Sequence, residues 1–275
     1  MPKSRLRQLI KYIRAFGMVA GTRLWISLLL QQLRSRPGLI TINIPGLAAP
    51  TYLRPQDLQI FWQIMVMQEN DFQSLPEASR QLDVYKQILA DGNRPVVVDC
   101  GGHIGLSAVW FASRFPEAVV YSVEPDTANF QMLSENSRAY PNIFPVQGGV
   151  WSRSCLLEIS NPKSGSASFR LQEVPESASL EHAAVLQGYA IGDIVEREAR
   201  NRLFLVKMDI EGAESEVFKR PAEWMNSAAV MIVELHDWLM PGQGTSRNLL
   251  ARISESHFDV HFRGENLILF RTTGF

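Results

Sequence analysis

The sequence predicts an α/β protein built on a Rossmann-like, mostly parallel sheet with helices on both faces, preceded by a helical and β extension. Three observations carry that prediction. From residue 96 onward, β-branched apolar runs alternate with amphipathic ones. The first apolar run, Val96-Val97-Val98, ends in Asp99-Cys100-Gly101-Gly102-His103-Ile104-Gly105, an acid and a three-glycine turn that open a helix. Later apolar runs also end in acids: Glu124 after residues 119–123, Asp209 and Glu211 after 203–208, and Glu234 after 229–233.

Residues 1–36 read as a basic amphipathic extension. Leu6, Leu9, Ile10, Ile13 and Phe16 recur at helical spacing among Arg5, Arg7, Lys11 and Arg14. A second apolar run, residues 24–30, is too short to span a bilayer. Arg23 separates the two runs and no small-residue cleavage site follows, which argues against a signal peptide. Residues 1–56 hold nine Lys and Arg and no acid, so in a chain of net charge −1 the remainder carries −10. Two readings stand. The segment rests on an anionic membrane surface, placing the protein peripherally on the cytoplasmic face, or it packs on the main domain with a solvated basic face.

Residues 37–94 read as a cap over the main domain. Residues 41–44 and 51–54 form two short strands around Pro45-Gly46. Asp57 is placed to cap a helix carrying Ile60, Phe61, Ile64, Met65 and Met67. Another helix over 82–89 stops at Asp91-Gly92-Asn93.

Residues 95–275 form the ligand-binding domain. After the glycine turn come a helix from Leu106, a strand over 119–123, a helix over 126–138 and a strand over 143–147. Residues 151–159 and 166–171 read as antiparallel strands around residues 161–165, and residues 172–184 as a polar loop. Two strands, over 203–208 and 229–233, precede a closing hairpin around Gly264-Glu265-Asn266. At 275 residues and 46% apolar content the chain supports one large core, and Cys100 and Cys155 make neither a disulfide framework nor zinc spacing. That usage fits a reducing compartment, and nothing in the overall charge suggests a nucleic-acid partner.

The glycine turn places backbone N–H groups at a helix start, where negative groups are favoured. The dinucleotide fingerprint and the P-loop spacing are both absent. Asp99 would repel a pyrophosphate but suits an ammonium group. S-adenosylmethionine carries an amino-acid end and no phosphate, so it suits the turn better than a dinucleotide. Glu124, at the end of the second strand, is placed to accept both ribose hydroxyls. Gln147-Gly148-Gly149, at the end of the third, lies where an adenine edge would rest.

The loop 99–105, Val123-Glu124-Pro125, Lys207-Met208-Asp209-Ile210-Glu211-Gly212-Ala213-Glu214 and Glu234-Leu235-His236 together resemble the FkbM family of S-adenosylmethionine-dependent methyltransferases over residues 50–271. The Lys-x-Asp-Ile-Glu-Gly-x-Glu run is the most specific part. The resemblance implies a class I methyltransferase sheet of seven strands, order 3-2-1-4-5-7-6. It also implies O-methylation of a hydroxyl on a polyketide, sugar, glycan or glycolipid. It places the cofactor against Asp99, Gly101, Gly102, His103, Gly105, Glu124, Pro125, Gln147, Gly148 and Asp209. The family loop often has Ala-Asn where this chain has Gly102-His103.

An alcohol is a poor nucleophile at neutral pH and needs a base or a metal. His236 is the first candidate for general base and Glu211 the alternative, with Asp209 orienting the cofactor or the nucleophile. Magnesium held by Asp209 and Glu234 is a less favoured route. Two rival classes are a nicotinamide-dependent oxidoreductase and a catalytically inactive, membrane-associated binding protein. The glycine spacing speaks against the first and the acidic strand ends against the second.

Overall fold

In the computed structural model, residues 4–32, 38–160, 170–175 and 185–273 are described. The chain opens with α1 (Arg5–Phe16), α2 (Met18–Gln32), β1 (Ile40–Ile42), β2 (Thr51–Leu53), α3 (Leu58–Phe61) and α4 (Ala78–Ala90). The Rossmann-like part follows as β3 (Arg94–Cys100), α5 (Leu106–Arg114), β4 (Val119–Glu124), α6 (Thr127–Ser137) and β5 (Ile143–Gln147). Next come β6 (Gly149–Val150), β7 (Cys155–Ile159), β8 (Leu171–Val174), β9 (Val185–Tyr189) and α7 (Ile191–Val195). The chain closes with β10 (Asn201–Met208), α8 (Glu214–Val217), β11 (Val230–Glu234), α9 (Arg247–Ser254), β12 (Phe258–Arg263) and β13 (Asn266–Arg271).

The main sheet has seven strands in the order β5-β4-β3-β10-β11-β13-β12. Counted along the chain as its own seven strands, that is 3-2-1-4-5-7-6, the order of a class I methyltransferase sheet. Strands β5 to β11 pair in parallel, and β13 returns antiparallel between β11 and β12. Alternation along each strand feeds two cores. Val97, Val230, Ile232, Ile268 and Phe270 face one, and Val96, Val98, Met231, Val233 and Leu269 the other.

One irregularity in that alternation matters for the site. Leu203 pairs with Val96 but Leu205 with Val97, so Phe204 is an extra residue bulged out of β10. A one-residue shift changes which face every later side chain takes. Beyond the bulge, Lys207 stands beside Asp99 rather than beside Cys100. A cation and an acid thereby share one face of two buried neighbouring strands.

The extension packs on the domain. Tyr12 meets Phe61 and Trp62 at ring-centroid distances of 6.4 and 5.6 Å, and Leu24 and Leu28 join the same core. Leu6, Ile10, Met18, Val19, Ile26 and Leu30 are exposed on the same two helices. Among the described residues no helix is long and apolar enough to cross a membrane.

Strands β1 and β2 pair as the sequence suggests, while Asp57 departs from its expected role. It does not cap α3. Its buried carboxylate closes back on Arg54, accepting from the backbone N at 2.7 Å and from Nε at 2.9 Å. Pro55 begins a 3₁₀ turn there, which folds the acid toward Arg54. The expected strand over 151–159 is confined to Cys155–Ile159, and residues 171–174 form a strand rather than loop. With β6 and β9 these strands make a second, four-stranded sheet, order β6-β9-β7-β8. The turn expected over 161–165, most of the strand expected over 166–171, and 176–184 of the expected loop lie outside the described residues.

Candidate active site

The site is built where two turns meet at the carboxyl ends of adjacent parallel strands, the usual ligand position in an open α/β sheet. Gly101, just after β3, has φ +83°, and a Cβ there would stand 1.9 Å from the Asp209 carbonyl oxygen. A glycine is what lets the turn after β3 pass the turn after β10. Gly105 starts α5 with φ +88°, against Leu133 of α6. His103 (φ 49°) and Glu211 (φ 55°) hold left-handed backbone without being glycine. Strain of that kind costs about 1–3 kcal/mol and clusters at working sites.

Between the turns lies an open cleft. Of the residues singled out in the sequence, Gly101, His103, Glu124, Pro125, Gly148, Asp209 and Glu211 line it. Ile60 from the cap forms another part of the wall, with Gly149 and Val150 of β6 and Leu171 of β8. Gly102, Gly105, Gln147 and His236 are outside the lining, and Gln147 donates to Thr127 Oγ1 at 3.1 Å. Asp99 is also outside. It is fully buried beneath the turn, where Ser107 Oγ and Ser122 Oγ each donate to Oδ2 at 2.7 Å. Lys207 Nζ stands 3.6 Å from its other oxygen.

Glu124 is almost wholly buried. Its Oε2 accepts from the His103 N–H at 2.8 Å, and its Oε1 from the Asp126 N–H at 3.0 Å and Asn129 Nδ2 at 3.3 Å. Burial pushes its pKa up to about 7 against those three donors. Burial also dominates at His103 and pulls its pKa down to about 4, so the ring is neutral near pH 7. His103 Nε2 faces Arg54 Nη2 at 3.4 Å and Asp57 Oδ1 at 3.7 Å. Its Nδ1 is buried and has no partner.

A second group of charges adjoins the cleft around Lys207 and His236. Lys207 Nζ donates to the Gly101 carbonyl at 3.1 Å and to Asp209 Oδ2 at 3.3 Å. Burial disfavours its charge, but Asp209, Asp99 and Glu234 outweigh burial and raise its pKa. His236 is buried, with Nδ1 2.9 Å from Glu214 Oε1. Its Nε2 lies 3.5 Å from Asp209 Oδ1, 3.8 Å from Glu234 Oε1 and 4.0 Å from Glu211 Oε2. Burial alone would lower the imidazole pKa. Glu214, Asp209 and Glu211 together hold it at about 9. Glu211 and Glu234 are each raised to about 7, first by burial and then by the charge of Asp209.

Three contributors escaped the sequence reading. Lys207 interrupts an otherwise apolar strand, and that interruption was the available signal. Glu214 sits inside the quoted motif, but only the fold shows that it holds His236. Ile60 reaches the cleft from a segment distant in sequence, and no local pattern marks it.

Residues 99–260, more than half of the chain, match the family model described as the methyltransferase FkbM domain. The chain belongs to the FkbM methyltransferase family. It is similar to the hexuronic acid methyltransferase AglP of Haloferax volcanii, at 27% identity over 238 residues, covering 86% of this chain and 89% of that protein. Among solved structures it is similar to cofactor-bound Rv0187 from MTB (15% identity, TM-score 0.40, 80% of this chain and 99% of that one). A putative O-methyltransferase from Klebsiella pneumoniae is similar too (10% identity, TM-score 0.38, 79% and 96%).

The cofactor of this FkbM-family methyltransferase is S-adenosylmethionine, and the cleft fits it on two observations. A carboxylate has about four acceptor positions, and three on Glu124 are filled from within the protein, which leaves room for one hydroxyl. The orphaned His103 Nδ1, in a residue of the same wall, is a buried polar atom that a ligand can satisfy. Asp209 and Glu211 in the lining suit a cofactor whose sulfonium and ammonium are positive.

Proposed function

We propose that this FkbM-family protein O-methylates a hydroxyl of a sugar, as a free unit or within a glycan or glycolipid, with Glu211 as the general base. The observation that carries the reading is Glu211 itself: a half-buried carboxyl in the wall of the cofactor cleft, with a pKa raised to about 7. A base poised near the working pH is the effective one. His236, the first candidate from sequence, is supported less well. It is buried outside the cleft lining and held protonated at neutral pH, so it has no free site for a proton. Its charge lowers the pKa of Glu211 and Glu234, a positioning and charge-balancing role.

S-adenosylmethionine, when bound, supplies a methyl group on a sulfonium for in-line displacement. The chain's residues do the rest. Glu124 and His103 offer polar partners to the cofactor, Asp209 holds Lys207 beside the turn, and Glu211 takes the acceptor's proton as the oxygen attacks. The hexuronic acid named for the relative supports a sugar over a polyketide-type acceptor.

Transfer of a labelled methyl group to a panel of glycosides and glycolipids tests the proposal. Glu211→Gln should lower kcat about 10²–10⁴-fold with little change in cofactor affinity. Wild-type kcat should rise with pH through about 7 as Glu211 ionises. His236→Ala should move that rise to higher pH, because it removes a cation that favours the Glu211 carboxylate. A Glu211→Gln enzyme with wild-type turnover contradicts the assignment.

A second reading has one observation behind it. Asp209, Glu234 and His236 bring one ligating atom each within 4.8 Å of one another. If a chelator abolishes transfer and magnesium restores it, acceptor activation passes to a metal held there.

A further inference from the structure

A second, smaller cleft adjoins the first, and Ile60 and Asp209 line both. Its walls combine a few apolar surfaces, Ile60 and Ile64, with side-chain amides and carboxylates. That lining suits a ring with C–H faces and several hydroxyls.

The segment that frames it is irregular. Trp62–Val66 is a π-helical turn closed by the Met67 N–H on the Trp62 carbonyl at 2.8 Å, and Gln68 follows with φ 53°. Single π turns and left-handed residues of this kind recur at functional positions. Here they deliver Gln63, Glu69 and Asn70 to the cleft. Asn70 is only 3% exposed, and its Nδ2 has no partner in the protein. A buried amide donor left unfilled in a cleft wall points to an acceptor atom supplied by a ligand.

Charge then narrows the ligand. Glu69, Asp209 and Glu234 line the cleft, and Glu265 stands next to it, accepting from Gln63 Nε2 at 3.2 Å. The cation in the lining, Lys207, is already committed to the Gly101 carbonyl, Asp209 and Asp99. Arg263 lies close enough to favour the Glu69 charge, but its Nη1 donates to the Asp71 carbonyl and Ser74 Oγ. A carboxylate on the acceptor would meet like charges, and among the described residues that line the cleft the cation is already paired.

We propose that this second cleft is the acceptor subsite and that it takes a neutral polyhydroxyl ring, rejecting one that carries a carboxylate. The inference rests on the sugar methyltransferase reading above. It sets this chain apart from its relative named for a hexuronic acid.

Calorimetry on the protein saturated with S-adenosylhomocysteine tests it, with a matched pair of probes: phenyl β-glucoside and phenyl β-glucuronide. The glucoside should bind at least tenfold tighter than the glucuronide. Asn70→Leu, close in shape, should weaken glucoside binding about tenfold and leave S-adenosylhomocysteine affinity unchanged. Glu69→Gln should narrow the preference between the two probes. Equal or tighter glucuronide binding overturns the proposal, as does an Asn70→Leu protein that binds glucoside like wild type. If neither glycoside binds while S-adenosylhomocysteine does, the subsite assignment fails and the methyltransferase reading stands. If S-adenosylhomocysteine itself does not bind, both fall.

Discussion

Asp99 shows at the scale of one residue how position in a motif and role can part. Its place before the first glycine suggests an ammonium-binding carboxylate, yet its oxygens face two serine hydroxyls and Lys207 beneath the turn. Removing one partner of a buried ion pair typically costs about 3–5 kcal/mol, because the other charge is left unpaired. Asp99→Ala should therefore lower the unfolding free energy measured in urea by an amount of that order. Cofactor affinity, measured under conditions where the variant is folded, should change little. A stable Asp99→Ala protein that has lost cofactor affinity would restore the ammonium-binding role.

At the scale of elements, the helical hairpin α1–α2 presents two surfaces. Tyr12, Leu24 and Leu28 face the core, while Leu6, Ile10, Met18, Val19 and Leu30 remain exposed close in sequence to the exposed Arg5, Arg7, Arg14 and Arg23. We propose that the outer surface touches an anionic bilayer. Basic residues near such a surface contribute roughly 1 kcal/mol each, and exposed apolar side chains add to that. Full-length protein should float with anionic vesicles, less so at high salt. The paired substitution Leu6→Ser and Met18→Ser should reduce flotation while circular dichroism stays that of wild type. Failure of the full-length protein to float removes the membrane role and leaves the hairpin structural. The strands of the main sheet were legible in the sequence because β-branched runs ended at acids and glycines, as Val96-Val97-Val98 does before Asp99. Two features were not. The Phe204 bulge leaves no mark in a continuous apolar run, yet it decides that Lys207 meets Asp99. The π turn at Trp62–Val66 reads as ordinary helix, since its apolar spacing does not distinguish the two.

Across the whole molecule, several groups around the two turns titrate far from their ordinary values. Glu124, Glu211 and Glu234 are each raised from 4.5 to about 7. Between those values the folded protein holds protons that the unfolded chain has released, so stability falls as pH rises. His236, raised from 6.5 to about 9, continues the fall over that higher window. His103, lowered from 6.5 to about 4, works in the opposite direction between those values, one group against three. Scanning calorimetry of the ligand-free protein at fixed ionic strength should show Tm decreasing from about pH 5 to about pH 9. Glu234→Gln should flatten the lower part of that curve. A Tm that is level or rises across the range contradicts the protonation pattern of the site.

The cleft between the two turns is the centre of the account, and Glu124 is its most exacting residue. Titration calorimetry with S-adenosylmethionine on wild type, Glu124→Ala and Glu211→Gln tests it most directly. Wild type should bind, and Glu124→Ala should lose about 1–3 kcal/mol of affinity, the scale of hydrogen bonds to a charged group. Glu211→Gln should bind close to wild type. A folded Glu124→Ala protein with wild-type affinity would contradict the placement of the cofactor in this cleft.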